Sequence, residues 1–467
     1  AFFMFSELGV DEYKWDWEGK LVDESVMERL FSDYYDYFHD HPIGHEKFIT
    51  FRLPNPKTDT EFRLGRAFMT LLSSSVLANH FKLPPEPLFE VIVPMTETSR
   101  ELIAVEEAFD EIASLKHPLY RLNERTIKHI HVIPLFEDVD TIIRSDEIVQ
   151  EFIDKHRQVF GSPPTYIRPY IARSDPALNS GMAATVLATK IALSRYKRLA
   201  EENGIPMYPI IGSASLPFRG GLTPYSVEAF AKEFSGIRTA LLQSAFRYDY
   251  PKDDVIQAIK QLHDILPNSQ PMEISAADES GLVEAIAVFE QAYRPSVEGL
   301  ADTINHLATK LPRRRERVQH IGLFGYSRGV GGIKLPRAIG FTAALYSLGV
   351  PPEFIGTGRG LKKVRAMGKL SLVEKYYLNL KADLLRAGKF INHGVLAKLA
   401  ATNPAWAAIA EDIKEVEAYL DVKLEPETDE ERKHHELTTQ IFAHMTDEGD
   451  TLTNLIESAA RMRHSMG

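Results

Sequence analysis

The chain alternates between two hydrophobic rhythms. Short runs rich in β-branched and aromatic residues recur at KFITFRL (47–53), FEVIVPM (89–95), HIHVIPLF (129–136), TYIRPYIA (165–172), MYPIIGS (207–213), TALLQSAF (239–246) and HIGLFGYS (320–327), and these predict strands. Between them, apolar positions return at helical spacing near 60–82, 98–115, 145–159, 182–203, 224–235 and 252–265. A further helix is predicted over 24–39, with Asp23 as N-cap, behind an irregular aromatic start. Strands that each lead into a helix predict an α/β fold, either a TIM-like (β/α) barrel or a large doubly wound sheet.

The rhythm changes towards the C-terminus. Residues 278–311 are helical and interrupt the alternation, and from Gly332 onward the pattern predicts helices only, over 337–348, 370–387, 405–420, 427–446 and 449–463. The economical architecture is a (β/α) barrel over 1–330, with the N-terminal helix and a helical insertion near 278–311, and an α-helical region over 331–467. No internal repeat or low-complexity linker separates the two parts, so they are expected to pack as one continuous unit.

Composition narrows the function classes. A formal net charge of −11 argues against a nucleic-acid-binding surface. There is no cysteine, which excludes disulfides, thiolate metal sites and cysteine nucleophiles and fits a cytoplasmic protein. No apolar run approaches the ~18–20 residues that a membrane span needs. The start, AFFMFSELG, lacks the basic region and cleavage site of a secretory signal, and it lacks an initiator Met.

The sharpest chemical signal is at 165–181, TYIRPYIARSDPALNSG, where an extended run ends in Arg173-Ser174-Asp175 and a helix former follows from Met182. Sites in α/β folds collect at the carboxyl ends of strands. The corresponding ends here carry Glu137-Asp138, Arg173-Ser174-Asp175, Arg219-Gly220-Gly221, Gln243 with Arg247, and Tyr326-Ser327-Arg328. Carboxylates from different strands suit a hard divalent cation, Mg²⁺ or Mn²⁺. The arginines suit phosphate and carboxylate groups. Phe218-Arg219-Gly220-Gly221 reads either as a loop that can move and bring N–H groups close to an anion, or as a tight turn.

Other motifs carry less. His129-x-His131 precedes its apolar run and so falls at the wrong end of its strand. Gly356-Thr357-Gly358-Arg359-Gly360 is not framed by a strand–helix unit and reads as a turn. Arg313-Arg314-Arg315-Glu316-Arg317 reads as a solvated face. His434-His435-Glu436 lacks metal-ligand spacing.

Taken together, these residues resemble phosphoenolpyruvate carboxylase, and specifically its shorter, archaeal-type branch. VIPLFED (132–138) is similar to the family's VPLFET strand, which implies Glu137 as a metal ligand. ARSDPALNSG (172–181) resembles the second metal motif, with Asp175 at the metal position, Leu178 where the long enzymes carry lysine, and Arg173 as the local cation. Phe218 to Gly221 resembles the end of the family's glycine- and arginine-rich mobile loop and matches one of its two arginines, Arg219. QSAFRYDY (243–250) is a loose counterpart of a substrate segment. Ser327-Arg328 followed by Leu335-Pro336-Arg337 resembles SRP…LRAI, which supplies two active-site arginines. PPEFIGTGRGLKKV (351–364) and Arg461-Met462-Arg463-His464-Ser465 extend the resemblance to the C-terminal end.

The resemblance implies carboxylation of phosphoenolpyruvate by bicarbonate. Glu137 and Asp175 would hold Mg²⁺ or Mn²⁺, and Arg219, Arg328, Arg337 and Arg173 would be the catalytic cations. Ser327, Gly220, Gly221, Gln243 and Arg247 would line the substrate. Lys381 and Arg463 mark a possible effector site, and a homotetramer without nucleic-acid or membrane partners is implied. The family's catalytic histidine lies in a T-x-H-P motif that this sequence lacks. His41-Pro42 and His117-Pro118 lack its context, and the motif is expected in a segment ahead of residue 1. The tail carries His464 where the long enzymes bind inhibitory aspartate through Asn. Two alternatives stay open: another metal-dependent barrel acting on phosphoenolpyruvate or a 2-oxo acid, such as a lyase or phosphotransferase, and a catalytically silent anion-binding relative.

Overall fold

Seven parallel strands follow one another in chain order across a single sheet: β1 (Glu12–Asp16), β2 (Phe48–Arg52), β3 (Glu90–Val93), β4 (His131–Phe136), β5 (Tyr170–Ile171), β6 (Ile210–Gly212) and β7 (Thr239–Leu241). The computed structural model describes residues 1–18, 23–57, 62–115, 127–312, 329–330, 333–447 and 449–467. Sequential parallel pairing needs a crossover after each strand, and helices supply it, among them Arg63–His80, Ser99–Ala113, Ser145–Phe160 and Met182–Asn203.

The sheet curls, and one side chain demonstrates it. Arg168, just ahead of β5, donates through Nη2 to Glu12 Oε2 on β1 (2.6 Å) and to Thr239 Oγ1 on β7 (3.2 Å), and through Nη1 to Glu90 on β3. Four odd-numbered strands therefore meet in one polar layer at the amino ends, as alternate strands do in barrel interiors. The two faces then separate with period two. Ile92, Ile133, Leu135, Tyr170 and Ile210 form a small apolar cluster on one face, while Val91, Val93, Val132, Phe136, Ile171 and Ile211 join the main core. The described strands make a half-barrel. The expected strand at 320–327 lies outside the described residues.

Some expected elements are corrected. The aromatic start contains β1, which pairs with β2 in register Glu12↔Phe48 to Asp16↔Arg52. The predicted helix over 24–39 breaks at Tyr34 into Val26–Asp33 and Tyr35–Asp40. The polar corner after β5 is a short helix, Ser174–Ser180, and the run at 239–246 turns helical at Ser244. Beyond Gly332, Ile333–Lys334 pairs antiparallel with Gly329–Val330.

The segment 356–360 is not a turn but the start of helix Thr357–Ala366. Its glycines let three helices approach closely: a Cβ at Gly358 would collide with the Asp412 backbone, and one at Gly360 with the Phe289 ring. Asp412, fully buried, accepts from the N–H groups of Gly356 and Arg359 (2.8 Å each) and pairs with the Arg359 guanidinium (2.9 and 2.8 Å). This helix packs with Ala276–Thr309, which continues through Pro295, and with Pro404–Leu420. The main apolar core runs without a break from Phe5 to Ala459.

Candidate active site

Polar residues gather where β1, β2 and β4 end. Arg52, the last residue of β2, donates from Nε and Nη2 to the two carboxylate oxygens of Asp16, the last residue of β1, both at 2.7 Å. Its Nη1 stands 2.5 Å from Glu18 Oε2, an ion contact made outside hydrogen-bond geometry, and 4.0 Å from Glu137 Oε1. The Met95 N–H donates to Glu137 Oε2 at 2.9 Å. Burial pushes the Glu18 carboxyl up, with Glu137 and Asp16 adding to the shift while Arg52 and Arg337 oppose it. Burial would lower Arg52, but Asp16, Glu18 and Glu137 outweigh it and hold the guanidinium firmly charged.

Asp175 reaches the same region from β5. The buried Tyr170 hydroxyl is raised first by desolvation, and Glu137, Asp16 and Asp175 all add to that shift while Arg52 opposes it. The two carboxylates expected to bind metal therefore bear on one phenol. Asp138 is sorted away from them: it caps helix Val139–Ile143, accepting from the Thr141 N–H at 2.8 Å and hydroxyl at 2.5 Å. Among the described residues, no group of three His, Cys, Asp or Glu is gathered to hold a metal ion.

Arg219 closes the arrangement from the other side. It ends the 3₁₀ turn Pro217–Arg219. Its Nε donates to Ser174 Oγ at 3.0 Å, its Nη2 to Gln243 Oε1 at 2.6 Å, and its Nη1 to the backbone carbonyl of Gly467. Gly220 follows at φ +119, where a Cβ would press on Ser213, so the chain reverses tightly and returns the Leu222 N–H to the Ala214 carbonyl at 3.0 Å. Arg386 donates to the carbonyls of Gly221 (3.0 Å) and Ser215. Arg337 begins helix Ala338–Ser347, and its charge acts on Glu18. The last residues of the chain, the 217–219 turn and the ends of β5 and β7 thus meet at one guanidinium.

The sequence profile of the family described as phosphoenolpyruvate carboxylase matches residues 1–467. The phosphoenolpyruvate carboxylase of Leuconostoc mesenteroides is 39% identical over 467 residues, covering 100% of this chain and 92% of the relative. That of Oenococcus oeni is 38% identical over 467 residues, with 100% and 92% coverage. That of Methanothermobacter thermautotrophicus is 36% identical over 480 aligned residues, with 100% and 93% coverage. The chain belongs to the phosphoenolpyruvate carboxylase family.

For a phosphoenolpyruvate carboxylase, the expected site residues fall into three groups. Glu137, Asp175, Arg219, Gln243, Gly220, Gly221 and Arg337 lie at strand ends or beside them, as described. Ser327 and Arg328 lie outside the described residues. The remaining expected residues are engaged elsewhere. The Arg247 guanidinium sits 4.7 Å over the ring of Phe3, in the short helix Phe2–Ser6, and 4.4 Å over Tyr248. Arg173 is buried, with Cζ 5.4 Å over Phe234 and Nε and Nη1 without hydrogen-bond partners among the described residues. Desolvation lowers Arg173, while Tyr377, Asp383 and Glu233 oppose that shift.

Lys381 and Arg463 share no described partner. Lys381 is 3.4 Å from Glu374 Oε1 and 5.2 Å over the Tyr419 ring. Arg463 is buried, donating to the Met466 carbonyl at 2.7 Å and lying 3.4 Å from His434 Nε2. His129 and His131 mark the amino end of β4, where His129 Nδ1 is 2.9 Å from Asp110 and the His131 ring lies 4.9 Å from Tyr166.

Sequence reasoning missed Asp16, Glu18 and Arg52. A signal existed: in EYKWDWE, charged Glu12, Lys14, Asp16 and Glu18 alternate with Tyr13, Trp15 and Trp17. That period of two marks a strand whose second face is charged instead of apolar.

Proposed function

We propose that this protein carboxylates phosphoenolpyruvate with bicarbonate, giving oxaloacetate and phosphate. Bicarbonate oxygen attacks phosphorus, the phosphoryl group leaves the enolate, carboxyphosphate releases CO₂, and the enolate carbon attacks it. The observation that carries this reading is family membership along the whole chain.

The residues fit a divalent cation. Glu137 and Asp175 are hard oxygen donors of the kind such an ion takes. Mg²⁺ or Mn²⁺ held there would supply Lewis-acid stabilisation of the enolate oxygen. The backbone N–H of Met95 fixes one oxygen of Glu137, so the carboxylate is oriented before ligand arrives. Arg219 is the anion clamp. Ser174, Gln243 and the Gly467 carbonyl hold its guanidinium in place, which limits reorganisation when charge moves between phosphate and carboxyphosphate. Arg337, at the start of a helix, adds positive charge on the same side. The buried Phe218–Gly221 turn excludes water that would hydrolyse carboxyphosphate or protonate the enolate to pyruvate. No helix among the described residues is long and apolar enough to cross a membrane, and a cytoplasmic homotetramer is the assembly that family membership favours.

The test is oxaloacetate formation from phosphoenolpyruvate, Mg²⁺ and bicarbonate, coupled to malate dehydrogenase, with a control lacking bicarbonate. Bicarbonate-dependent product is expected, and turnover that ignores bicarbonate would favour a lyase or phosphotransferase. Arg219→Ala is expected to abolish carboxylation or divert turnovers to pyruvate. Full, undiverted carboxylation in that variant would overturn the role given to Arg219.

A further inference from the structure

One arginine of the C-terminal helices closes both ends of the turn that carries Arg219. Arg386, on helix Leu380–Gly388, donates through Nη2 to the Ser215 carbonyl, where the turn begins, and through Nη1 to the Gly221 carbonyl, where it ends, at 3.0 Å. Asp383 stands one helical turn earlier on the same face. A Cβ at Gly221 would come within 3.7 Å of its Oδ1 and 3.8 Å of Arg386 Nη1. Among the described residues no carboxylate comes within ion-pair distance of Arg386, and both of its hydrogen bonds go to the main chain of this one turn. Hydrogen bonds from a charged donor are the strong ones, so the guanidinium acts as a clamp on the loop. The turn has bonds of its own. The Ala214 N–H donates to the Arg219 carbonyl at 2.9 Å, and the Leu222 and Gly221 N–H groups donate to the carbonyls of Ala214 and Leu216, both at 3.0 Å. Those bonds set its shape, not its seat on the neighbouring helix. The Ser226 hydroxyl shares the Gly221 carbonyl at 2.7 Å, which gives the exit a second support. At the entry, Arg386 is the one side chain among the described residues that donates to the Ser215 carbonyl.

We propose that Arg386 is a positioning residue for Arg219: by holding the Ser215 and Gly221 carbonyls together, it fixes the backbone from which the Arg219 side chain reaches into the site. This rests on the reading of Arg219 as the anion clamp. The Arg219 guanidinium is held at its tip by Ser174, Gln243 and the Gly467 carbonyl, and its base is held by Arg386. With Arg386 removed, the base can shift while the tip keeps its partners. A misplacement of about 1 Å in a catalytic group can cost about a hundredfold in rate. The C-terminal helical region also supplies Glu353, which accepts from the Phe218 N–H at 2.9 Å. The seat of the turn is therefore set by residues more than a hundred positions away, through main-chain atoms only.

The experiment compares the full chain with Arg386→Met and Arg386→Lys, supplied with phosphoenolpyruvate, Mg²⁺ and bicarbonate. Malate dehydrogenase alone reads oxaloacetate, and malate and lactate dehydrogenases together read oxaloacetate plus pyruvate. Arg386→Met keeps the bulk of the side chain and removes every donor. It is expected to lower kcat per folded molecule about tenfold or more, with the KM for phosphoenolpyruvate the smaller change. The share of turnovers ending in pyruvate should rise with it, since a displaced turn admits water. Arg386→Lys keeps the charge without the fork and is expected to fall between the parent and Arg386→Met on both readings. The pyruvate share is a ratio of products, so a loss of folded protein leaves it unmoved. A lower melting temperature with the parent's kcat per folded molecule and pyruvate share would make Arg386 structural only and overturn the proposal. Should Arg386→Met fail to fold, Arg386→Lys carries the same two readings. Arg219→Ala is the control. Full, undiverted carboxylation in it would mean that Arg219 itself has been misread. Carboxylation lost or diverted there, with parent values in the Arg386 variants, leaves the role of Arg219 standing and removes that of Arg386.

Discussion

Glu353 gives a prediction whose sign and size both follow from its surroundings. Its carboxylate is fully buried, and Oε1 accepts from the Phe218 N–H and the Tyr346 hydroxyl, each at 2.9 Å. It therefore anchors the turn that carries Arg219. Burial pushes its carboxyl up from 4.5 to about 7, with the Phe218 N–H and Tyr346 hydroxyl pulling the other way and Asp383 adding to the rise. A folded value above the unfolded one means that the fold prefers the proton on. The stability contributed by this group is thus fully present below pH 4.5 and is lost as pH rises to about 7. The gap corresponds to about 3 kcal/mol. With an unfolding entropy of about 2.1 cal/mol/K per residue over this chain, that is roughly 3 °C in Tm.

Glu353→Gln keeps an acceptor for Phe218 and removes the ionisation. Thermal melts of both proteins at one scan rate should therefore diverge with pH. The variant's Tm relative to the parent should rise by about 3 °C between pH 5 and pH 8. A difference that stays flat, or one that favours the parent at alkaline pH, would refute the reasoning.

Two further outcomes follow from other parts of the molecule. Asp175→Asn should lower metal-dependent turnover by about a hundredfold or more while circular dichroism stays native, because it removes a charge from the proposed cation pair and little packing; unchanged activity would sink the metal assignment. Asp412→Ala should cost about 2–3 kcal/mol of stability in urea titrations, since it removes the buried carboxylate that pairs with the half-buried Arg359 and caps helix Thr357–Ala366; a loss under about 1 kcal/mol would show that the pair is compensated elsewhere.

How much of this was legible beforehand depends on what kind of signal each part carries. Periodicity is local, and it located the strands at 48–52, 90–93 and 131–136 and the long helices at 182–203 and 276–309 within a few residues. The rule that parallel strands present sites at their carboxyl ends then made candidates of Glu137, Asp175 and Arg219, because those positions follow from chain direction alone. The rule failed for β1. Its alternation is charged against aromatic, and a search for apolar alternation passes over a strand with Glu12, Lys14 and Asp16 on one face.

Tertiary packing decided the rest, since the aim of a long side chain is set by neighbours distant in sequence. Arg247 sits as expected after β7, yet its guanidinium is drawn over Phe3 from the other end of the chain. Arg173 adjoins Asp175 but turns to Phe234. The glycines at 356, 358 and 360 look like a turn until Asp412 and Phe289 arrive to make them a helix that only glycine can seat. The contact between Arg219 and Gly467, 248 residues apart, leaves no trace in either segment. The sequence by itself determined the order of elements and the residues at their ends, because those depend on backbone direction and side-chain periodicity. Which of those residues face one another was decided only by the packed structure, where burial forces each charge to find a partner wherever the fold supplies one.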